Sequence, residues 1–246
     1  MRNTGKWFVL LGISFFVFLK TSAVSDKHFK FYEILKNIMD TTLKVNEIFK
    51  SIQGESTFAG LPCVFIRLTG CNLRCTYCDT TYSYEEGQNW NISGLIAKIH
   101  KYKSKLVEIT GGEPLLQPGT NKLIKQLLRE RFAVLIETNG SFDISTIHKK
   151  ATIIMDIKCP GSGMSKKNIW ANVDHLKHSD EVKFVISNKK DFSWAKYKMK
   201  EFNLPQRCKV LFSTVHGKLE PCELAEWILS DNLQVRFQLQ IHKYIW

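Results

Sequence analysis

Several features that mark other classes of protein are missing from this sequence. The 246 residues contain no internal repeat, no low-complexity tract and no segment typical of a linker between domains. The longest apolar run, residues 7–19, is shorter than the roughly 20 residues that a helix needs to cross a bilayer. We therefore expect one large hydrophobic core, and the sequence predicts no membrane span.

Acidic residues are also scarce. The chain has 23 Asp and Glu against 35 Lys and Arg, which gives a formal net charge of +12. A charge of this sign can indicate a polyanionic partner. The lysines, however, are scattered along stretches with the pattern of solvated helices, and aromatic residues are not interleaved with them. The sequence therefore predicts no nucleic-acid partner.

Cysteine occurs in an odd number, seven, and Cys71, Cys75 and Cys78 lie within eight residues with no fourth cysteine nearby. Thiolates at these spacings can each bind one iron of a cubane [4Fe–4S] cluster, which leaves the fourth iron open. The loop therefore predicts an open iron–sulfur cluster. The alternatives are a structural zinc site, which usually has four closed ligands, and a disulfide framework, which an odd count disfavours. The other cysteines are expected to pack as small apolar residues: Cys63, Cys159, Cys208 and Cys222.

Strand-like segments alternate with segments of helical periodicity along the chain. A strand-like run from residue 42 breaks at Gly54, and strands are predicted over 63–69, 105–110, 132–138, 152–158, 182–187, 209–215 and 234–242. Helices are predicted over 93–102, with Ser93 as the N-cap, and over 121–130, 192–202 and 222–229. This order is typical of right-handed parallel βαβ units. About six or seven core strands are too few for a closed eight-stranded barrel, so the predicted fold class is α/β, an incomplete parallel (β/α) barrel.

The predicted strands have one apolar face and one polar face, because successive side chains point to opposite sides of a sheet. We expect the apolar set to pack under the helices. The polar set should line the interior near the carboxyl ends of the strands, where parallel barrels place their active sites. Burying unpaired charges is costly, so charged groups on four strands predict a polar ligand between them. The polar set is Arg67, Thr69, Glu108, Thr110, Glu137, Asn139, Asp156, Lys158, Arg236, Gln238, Gln240 and His242.

The spacing Cys-x3-Cys-x2-Cys, with Tyr77 before the last cysteine, resembles the signature of the radical S-adenosylmethionine (SAM) superfamily. In that superfamily three cysteines hold a [4Fe–4S] cluster, and SAM chelates its open iron. The resemblance implies that Cys71, Cys75 and Cys78 are the cluster ligands and that the fold is the partial barrel of this superfamily. It also implies a low-potential electron donor of the flavodoxin or ferredoxin type.

Further segments resemble the parts of that superfamily that contact SAM. Gly111-Gly112-Glu113-Pro114 follows a predicted strand and resembles the GGEP motif, which contacts the amino group of SAM, with Gly112 as the main candidate. Glu137 and Asn139 are further candidates for contacts with the nucleoside. The other SAM-binding residues that the resemblance implies are Tyr77, Cys78, Asp79, Asp156, Ile157, Lys158, Ser213, Thr214, Val215 and His216.

A narrower resemblance is to the 7-carboxy-7-deazaguanine synthase family of the queuosine and deazapurine pathway. It covers residues 39–246. Two departures from the family pattern are Ser56, where the family often has glycine, and the end at Trp246, where relatives often continue. The matching segments are Glu47-Ile48-Phe49, Ser51-Ile52-Gln53-Gly54-Glu55, Phe65-Ile66-Arg67-Leu68-Thr69-Gly70-Cys71-Asn72-Leu73, Cys78-Asp79-Thr80 and Gln238-Leu239-Gln240-Ile241-His242-Lys243-Tyr244-Ile245-Trp246.

This resemblance implies a lyase that converts 6-carboxy-5,6,7,8-tetrahydropterin into 7-carboxy-7-deazaguanine with loss of ammonia. Arg67 suits the substrate carboxylate, because a guanidinium can hold a carboxylate by two parallel hydrogen bonds. Thr80 is implied as a Mg²⁺ ligand, and the family's usual state implies a homodimer. The implied substrate contacts are Ile52, Gln53, Gly54, Arg67 and Thr110.

Residues 1–38 match no part of these families. Two basic residues, the apolar run and the small residues at 22–25 resemble a secretory signal, whereas an oxygen-sensitive cluster predicts a cytoplasmic location. We expect residues 1–38 to be an extension outside the fold, from a start codon placed too early, and residues 39–246 to form the radical SAM domain. An anchor or targeting segment is the alternative.

Two other functions stay open. A glycyl-radical-enzyme activating enzyme is another compact radical SAM class, which would act on a protein backbone. Such an enzyme would not need Arg67 to face a small anionic ligand. The other alternative is a non-enzymatic basic binding module with zinc in the cysteine loop.

Overall fold

The computed structural model describes Glu33 and residues 40–246. Thr41–Trp246 form one compact unit. Apart from Glu33, the predicted extension over residues 1–38 lies outside the described residues, and the boundary at residue 39 stays a prediction. Within the part that is described, no helix is both long and apolar enough to cross a bilayer.

Nine strands of the described chain form a single sheet: β1 (Thr42–Ile52), β2 (Pro62–Leu68), β3 (Gln88–Asn91), β4 (Leu106–Gly111), β5 (Ala133–Thr138), β6 (Thr152–Ile157), β7 (Glu181–Ile186), β8 (Lys209–Thr214) and β9 (Arg236–Gln238). Their spatial order is β3-β1-β2-β4-β5-β6-β7-β8-β9. The seven strands from β2 through β4 to β9 are parallel. The two edges of this sheet do not pair with each other. The predicted incomplete parallel barrel with six or seven core strands is therefore confirmed.

Two antiparallel strands extend the sheet beyond β2. β1 pairs with β2 and with β3, in both cases antiparallel. β1 corresponds to the strand-like run that the sequence predicts from residue 42. β3 was not predicted, because its four residues, Gln88-Asn89-Trp90-Asn91, have neither an apolar alternation nor branched side chains.

The longer helices lie within three residues of their predicted bounds. They are α1 (Ile92–Lys101), α2 (Thr120–Arg129), α3 (Lys189–Glu201) and α4 (Pro221–Ser230). The predicted N-cap of α1 is wrong: the cap is Asn91, whose side chain accepts a hydrogen bond from Gly94 N at 2.8 Å, and not Ser93. The reason is that β3 ends at Asn91, which keeps the extended conformation of a strand and serves directly as the cap.

The last strand is shorter than predicted. β9 covers only Arg236–Gln238 in place of residues 234–242, and a single helical turn, α5 (His242–Ile245), follows. Ile241 N donates to Gly54 O at 3.0 Å, which draws the chain away from β8 toward the loop after β1. Arg236 is exposed and does not line the interior, whereas Gln238 is buried.

The interior of the barrel has two layers. Its floor is apolar and consists of Cys63, Phe65, Leu106, Leu135 and Ile154. These side chains share the parity of the charged residues, which lie farther along the same strands. The predicted polar interior is therefore confined to the half of the barrel near the carboxyl ends of the strands.

The cysteines outside the loop follow the prediction with one exception. Cys63, Cys159 and Cys208 are free and buried, as expected of small apolar residues. Cys222 is free and exposed, so the prediction is wrong for this residue. Its position in the first turn of α4 places it on the solvent side of that helix.

The loop between β1 and β2 bridges the open side of the sheet. Ser56 N donates to Gln238 Oε1 at 2.8 Å, and Thr57 N lies 3.1 Å from a carboxylate oxygen of Glu181. The backbone bond from Ile241 to Gly54 adds a third contact. These contacts, which we call the seam, join the antiparallel edge of the sheet to β7 and β9 where strand pairing is interrupted.

Candidate active site

A cavity of about 530 Å³ lies at the carboxyl ends of the parallel strands. Its volume is typical of ligand pockets. Two predicted site residues, Ile157 and Ser213, are buried outside its lining, and their contacts with SAM stay a prediction. The predicted residues that do line it are Ile52, Gln53, Gly54, Arg67, Cys71, Cys75, Tyr77, Cys78, Asp79, Thr80, Thr110, Gly112, Asp156, Lys158, Thr214, Val215 and His216.

The three thiols of the cysteine loop are free and half-buried at this cavity. Leu73 N donates to Cys71 Sγ at 3.4 Å, a contact of the kind that tunes cluster potentials. Burial raises the pKa of the Cys71 and Cys75 thiols. Among the described residues, no three His, Cys, Asp or Glu side chains converge to hold a single metal ion. In a cubane cluster each thiolate binds a different iron, so three cysteines at these spacings can hold such a cluster.

Gly112 packs the GGEP loop against the cysteine loop. A Cβ on Gly112 would lie 2.2 Å from Gly70 O and 2.7 Å from Cys71 Cβ, so no larger residue fits. The next residue, Glu113, is fully buried and accepts a hydrogen bond from Asn139 N at 2.7 Å. Asn139 Nδ2 in turn lies 3.9 Å from Cys71 Sγ as a donor. Glu113 therefore positions a residue that contacts the first cysteine of the loop.

A second set of contacts holds the opposite side of the cysteine loop. Thr76 Oγ1 donates to Gly161 O at 2.8 Å, and Thr76 N donates to Ser162 O at 3.1 Å. Gly161 N donates to the buried carboxylate of Asp191, in the first turn of α3, at 2.8 Å. Asp191 was not predicted as a site residue, although an acidic residue in a first helical turn is a usual signal. The cysteine loop is thus held from both sides by buried groups.

A buried lysine in the cavity was not predicted as a site residue. Lys183 Nζ on β7 donates to Glu55 Oε2 at 2.7 Å and to Glu137 Oε1, and it lies 3.9 Å from Asp156 Oδ2. Burial lowers the pKa of Lys183, but these three carboxylates outweigh burial and raise the pKa well above its usual value. The alternation of the strand could have indicated it, because Lys183 lies between two apolar residues as the polar residues of the other strands do.

Two carboxyl groups of the cavity have opposite environments. Burial raises the pKa of Glu108 well above its usual value, and the nearby carboxylates Glu137 and Glu55 add to this effect. Gln53 Nε2 donates to Glu108 Oε2. Burial would also raise the pKa of Glu137, but the ammonium of Lys183 and a hydrogen bond from Thr110 lower it below its usual value. Glu108 therefore holds a proton to higher pH than a free carboxyl, whereas Glu137 is ionised.

Arg67 of β2 lines the cavity and is oriented by β1. Its Nε donates to Glu47 Oε1 at 2.6 Å, and the same oxygen accepts a hydrogen bond from Tyr82 at 3.0 Å. The guanidinium carbon lies 5.8 Å from the centroid of the Tyr82 ring. A guanidinium has five N–H donors, so the contact with Glu47 uses one of them and fixes the direction of the others.

Comparisons with known proteins establish the family. The family model of the radical SAM superfamily matches residues 65–154. A 7-carboxy-7-deazaguanine synthase from Chlorobaculum tepidum is 43% identical over 210 residues, which are 84% of this chain and 96% of that protein. The chain belongs to the 7-carboxy-7-deazaguanine synthase family. It is therefore a radical SAM enzyme, from a superfamily that uses a [4Fe–4S] cluster and SAM.

Two further relatives of this family agree. A 7-carboxy-7-deazaguanine synthase from Koribacter versatilis is 38% identical over 219 residues, which are 83% of this chain and 97% of that protein. Among solved structures, QueE from Escherichia coli superimposes with a TM-score of 0.69 and covers 84% of this chain and 98% of its own. Its sequence identity is 21%, so this likeness shows the fold.

The family's SAM cofactor fits the residues present. Asp156 Oδ1 is buried without a hydrogen-bond partner among the described residues, whereas Asp156 Oδ2 accepts a hydrogen bond from Lys158 Nζ at 2.8 Å. Buried acceptors of this kind are rare in native proteins. Asp156 is part of the lining of the cavity that contains the cysteine loop, and a hydroxyl or amino group of SAM that donated to Oδ1 would satisfy it.

The departure from the family at Ser56 keeps the backbone conformation that glycine favours. Ser56 has a φ of 63°, in the left-handed region. Its Oγ accepts a hydrogen bond from Phe58 N at 3.1 Å, which is a serine turn that stabilises this conformation locally. The seam therefore has a left-handed residue at position 56, and the serine side chain supports it.

Proposed function

We propose that this member of the 7-carboxy-7-deazaguanine synthase family converts 6-carboxy-5,6,7,8-tetrahydropterin into 7-carboxy-7-deazaguanine with loss of ammonia, in the biosynthesis of queuosine or another deazapurine. The observation that carries the proposal is one cavity that contains the cysteine loop, the SAM-binding segments and Arg67. The names of the relatives support it, and the matches to this chain cover nearly the whole length of those relatives.

In this proposal Cys71, Cys75 and Cys78 hold the cluster, and Gly112 and Asp156 contact SAM. When bound, these cofactors supply a 5′-deoxyadenosyl radical that abstracts hydrogen from the substrate. The chain orients SAM and the substrate toward each other and keeps water away while the radical exists.

Arg67 is proposed to bind the carboxylate of the substrate through parallel hydrogen bonds. Gln53 and Thr110 line the same cavity and would contact the polar groups of the pterin ring. Phe49 and Phe65, with ring centroids 5.0 Å apart, provide an apolar wall for a flat ring. This arrangement explains why the cavity combines a guanidinium with an aromatic surface.

Thr80 is proposed as a ligand of Mg²⁺. Its hydroxyl donates to Asp79 Oδ1 at 3.0 Å, and Asp79 Oδ2 lies 3.0 Å from Lys243 Nζ. Magnesium prefers oxygen ligands and commonly keeps several water or substrate oxygens, so one protein hydroxyl is compatible with a site there. A flavodoxin-type or ferredoxin-type electron donor and a homodimer belong to the same proposal.

The reaction itself is the test. The chain is reconstituted with iron and sulfide under anaerobic conditions, reduced, and incubated with SAM, Mg²⁺ and the carboxytetrahydropterin. We expect about four irons and four sulfides per chain. We also expect the deazapurine to form, measured by mass spectrometry, and to form more slowly when Mg²⁺ is omitted.

Two outcomes would contradict the proposal. Absence of the deazapurine together with hydrogen abstraction from a glycine-containing peptide would indicate an activating enzyme. Stoichiometric zinc that resists exchange, in place of iron, would indicate a structural metal site and a binding module.

A further inference from the structure

Lys183 connects three parts of the barrel at one nitrogen atom. Its side chain is 6% exposed, and its ammonium contacts Glu55 from the loop after β1, Glu137 from β5 and Asp156 from β6. Burying a lysine among apolar strands is costly unless it is paired. The position of Lys183 in the lining of the cavity points to a role in ligand binding rather than in general packing.

The pairing of charges around Lys183 is specific. Asp156 has its own cation, Lys158, at 2.8 Å. Glu55 and Glu137 have Lys183 as their shared cation. Because both carboxylates contact one nitrogen, they lie close enough to repel each other if that charge is removed. One of the two would then take up a proton.

Glu55 and Glu137 lie beside residues that are proposed to contact the substrate. Glu55 directly follows Gln53 and Gly54, two of the proposed substrate contacts. Glu137 Oε2 accepts a hydrogen bond from Thr110, a third one, at 3.0 Å. Both carboxylates line the cavity, with side chains 20% and 28% exposed.

We propose that Lys183 is a positioning residue that holds Glu55 and Glu137 side by side as a fixed pair of hydrogen-bond acceptors for N–H groups of the pterin. This inference rests on the proposed function. An ionised carboxylate only accepts hydrogen bonds, and the aminopyrimidinone edge of a pterin carries adjacent N–H donors. Without the ammonium, a protonated carboxyl would present a donor to these donors and weaken binding.

The first experiment measures binding without turnover. Dissociation constants of oxidised 6-carboxypterin, which has the same pyrimidinone edge, are measured by calorimetry for the reconstituted enzyme and its Lys183→Met variant. We expect Lys183→Met to bind about 10- to 100-fold more weakly, because it leaves two partly buried carboxylates without their shared cation. Iron content should stay within about twofold of the parent enzyme.

Lys177→Met is the matched control. Lys177 is paired with the fully buried carboxylate of Asp180, which does not line the cavity. Both variants therefore leave a carboxylate without its cation, and both should lower the urea midpoint of unfolding. Only Lys183→Met should weaken binding of the pterin. Equal affinity for the pterin in Lys183→Met and the parent enzyme, or equal weakening in both variants, would overturn the proposal.

A double-mutant cycle tests whether Lys183 acts through Glu55. Glu55→Gln is introduced into the parent enzyme and into Lys183→Met. If the lysine positions this carboxylate, the two losses of affinity will be clearly less than additive. If the two losses of binding free energy were fully additive, Lys183 would act independently of Glu55, and this would contradict the inference. If Lys183→Met does not fold, Lys183→Gln is used with the same readouts.

A last measurement separates this inference from the proposed function. Infrared difference spectra count protonated carboxyl groups and need no substrate. We expect one additional protonated carboxyl in Lys183→Met relative to the parent enzyme at neutral pH, and none in Lys183→Arg, which keeps the charge. If the parent enzyme fails to bind the pterin, the proposed function fails, and an unchanged infrared spectrum of Lys183→Met would independently reject the role of Lys183.

Discussion

At the scale of single residues, Arg67 shows how the barrel prepares a charged group for a ligand. The guanidinium is paired with Glu47 at 2.6 Å and its side chain is 16% exposed. The pair fixes the guanidinium before a ligand arrives, which reduces the entropy lost on binding. Arg67 is therefore more than a source of positive charge.

Replacing Arg67 by alanine should weaken use of the pterin substrate strongly. We expect kcat/KM to fall by an amount equivalent to about 2–4 kcal/mol, because a buried charged hydrogen-bond partner of the carboxylate is lost. Glu47→Gln is the control, since it keeps the guanidinium and removes only its charged anchor, and its effect should be smaller. Steady-state kinetics measures kcat/KM, and iron content and uncoupled SAM cleavage check that the variant is intact. A kcat/KM for Arg67→Ala equal to that of the parent enzyme would contradict this prediction.

Most of the site residues that the sequence predicted line the cavity, and the reason is local. Arg67, Thr110 and Asp156 are polar residues in otherwise apolar strands, and Cys71 belongs to a dense motif. Lys183 carried the same parity signal and was overlooked, because no motif surrounds it. Glu113 and Asp191 act only through other residues, and their sequence context, the GGEP motif and a first helical turn, does not indicate which groups they hold.

At the scale of elements, α1 illustrates a competition between two N-cap residues. Asn91 caps the helix through Gly94 N, whereas Ser93 lies inside the first turn. We expect Asn91→Ala to lower the free energy of unfolding by about 0.5–2 kcal/mol, because an amide at the helix start loses its acceptor. Ser93→Ala should change it by a few tenths of a kcal/mol at most, since alanine has the higher helix propensity.

Urea unfolding of the two variants, followed by tryptophan fluorescence, measures this difference. A larger loss of stability for Ser93→Ala than for Asn91→Ala would indicate that Ser93 is the N-cap after all.

The sequence also failed to predict β3 and the end of β9, and the cause is the same as for the misplaced cap. Their conformation depends on pairing with β1 and on the contact of Ile241 with Gly54, which are distant in the chain.

At the scale of the whole molecule, the buried charges make stability depend on pH. The pKa of Glu108 is raised in the folded chain above its usual value of 4.5, so the folded state binds this proton more tightly than the unfolded state. Stability from this group is therefore fully present below the unfolded pKa and is lost as pH rises toward the folded pKa.

Glu108→Gln should remove this dependence. We expect the variant to gain stability relative to the parent chain as pH increases from 5 to 8, because glutamine has no proton to lose and can still accept the hydrogen bond from Gln53. Free energies of unfolding in urea at several pH values give the difference directly. A difference that does not change with pH would mean that Glu108 has an ordinary pKa in the folded chain.

The seam has a consequence for the order in which the molecule is made. Ser56 and Gln238, which it joins, are 182 residues apart, and Glu55 and Gln240 are 185 apart. Closing loops of this length costs more entropy than closing the βαβ units between them. Because synthesis proceeds from the amino terminus, these contacts can form only after residue 240 has left the ribosome. The wall that holds Glu55 is therefore completed last, and a nascent chain has no finished pocket for the proposed substrate while the barrel is still being translated.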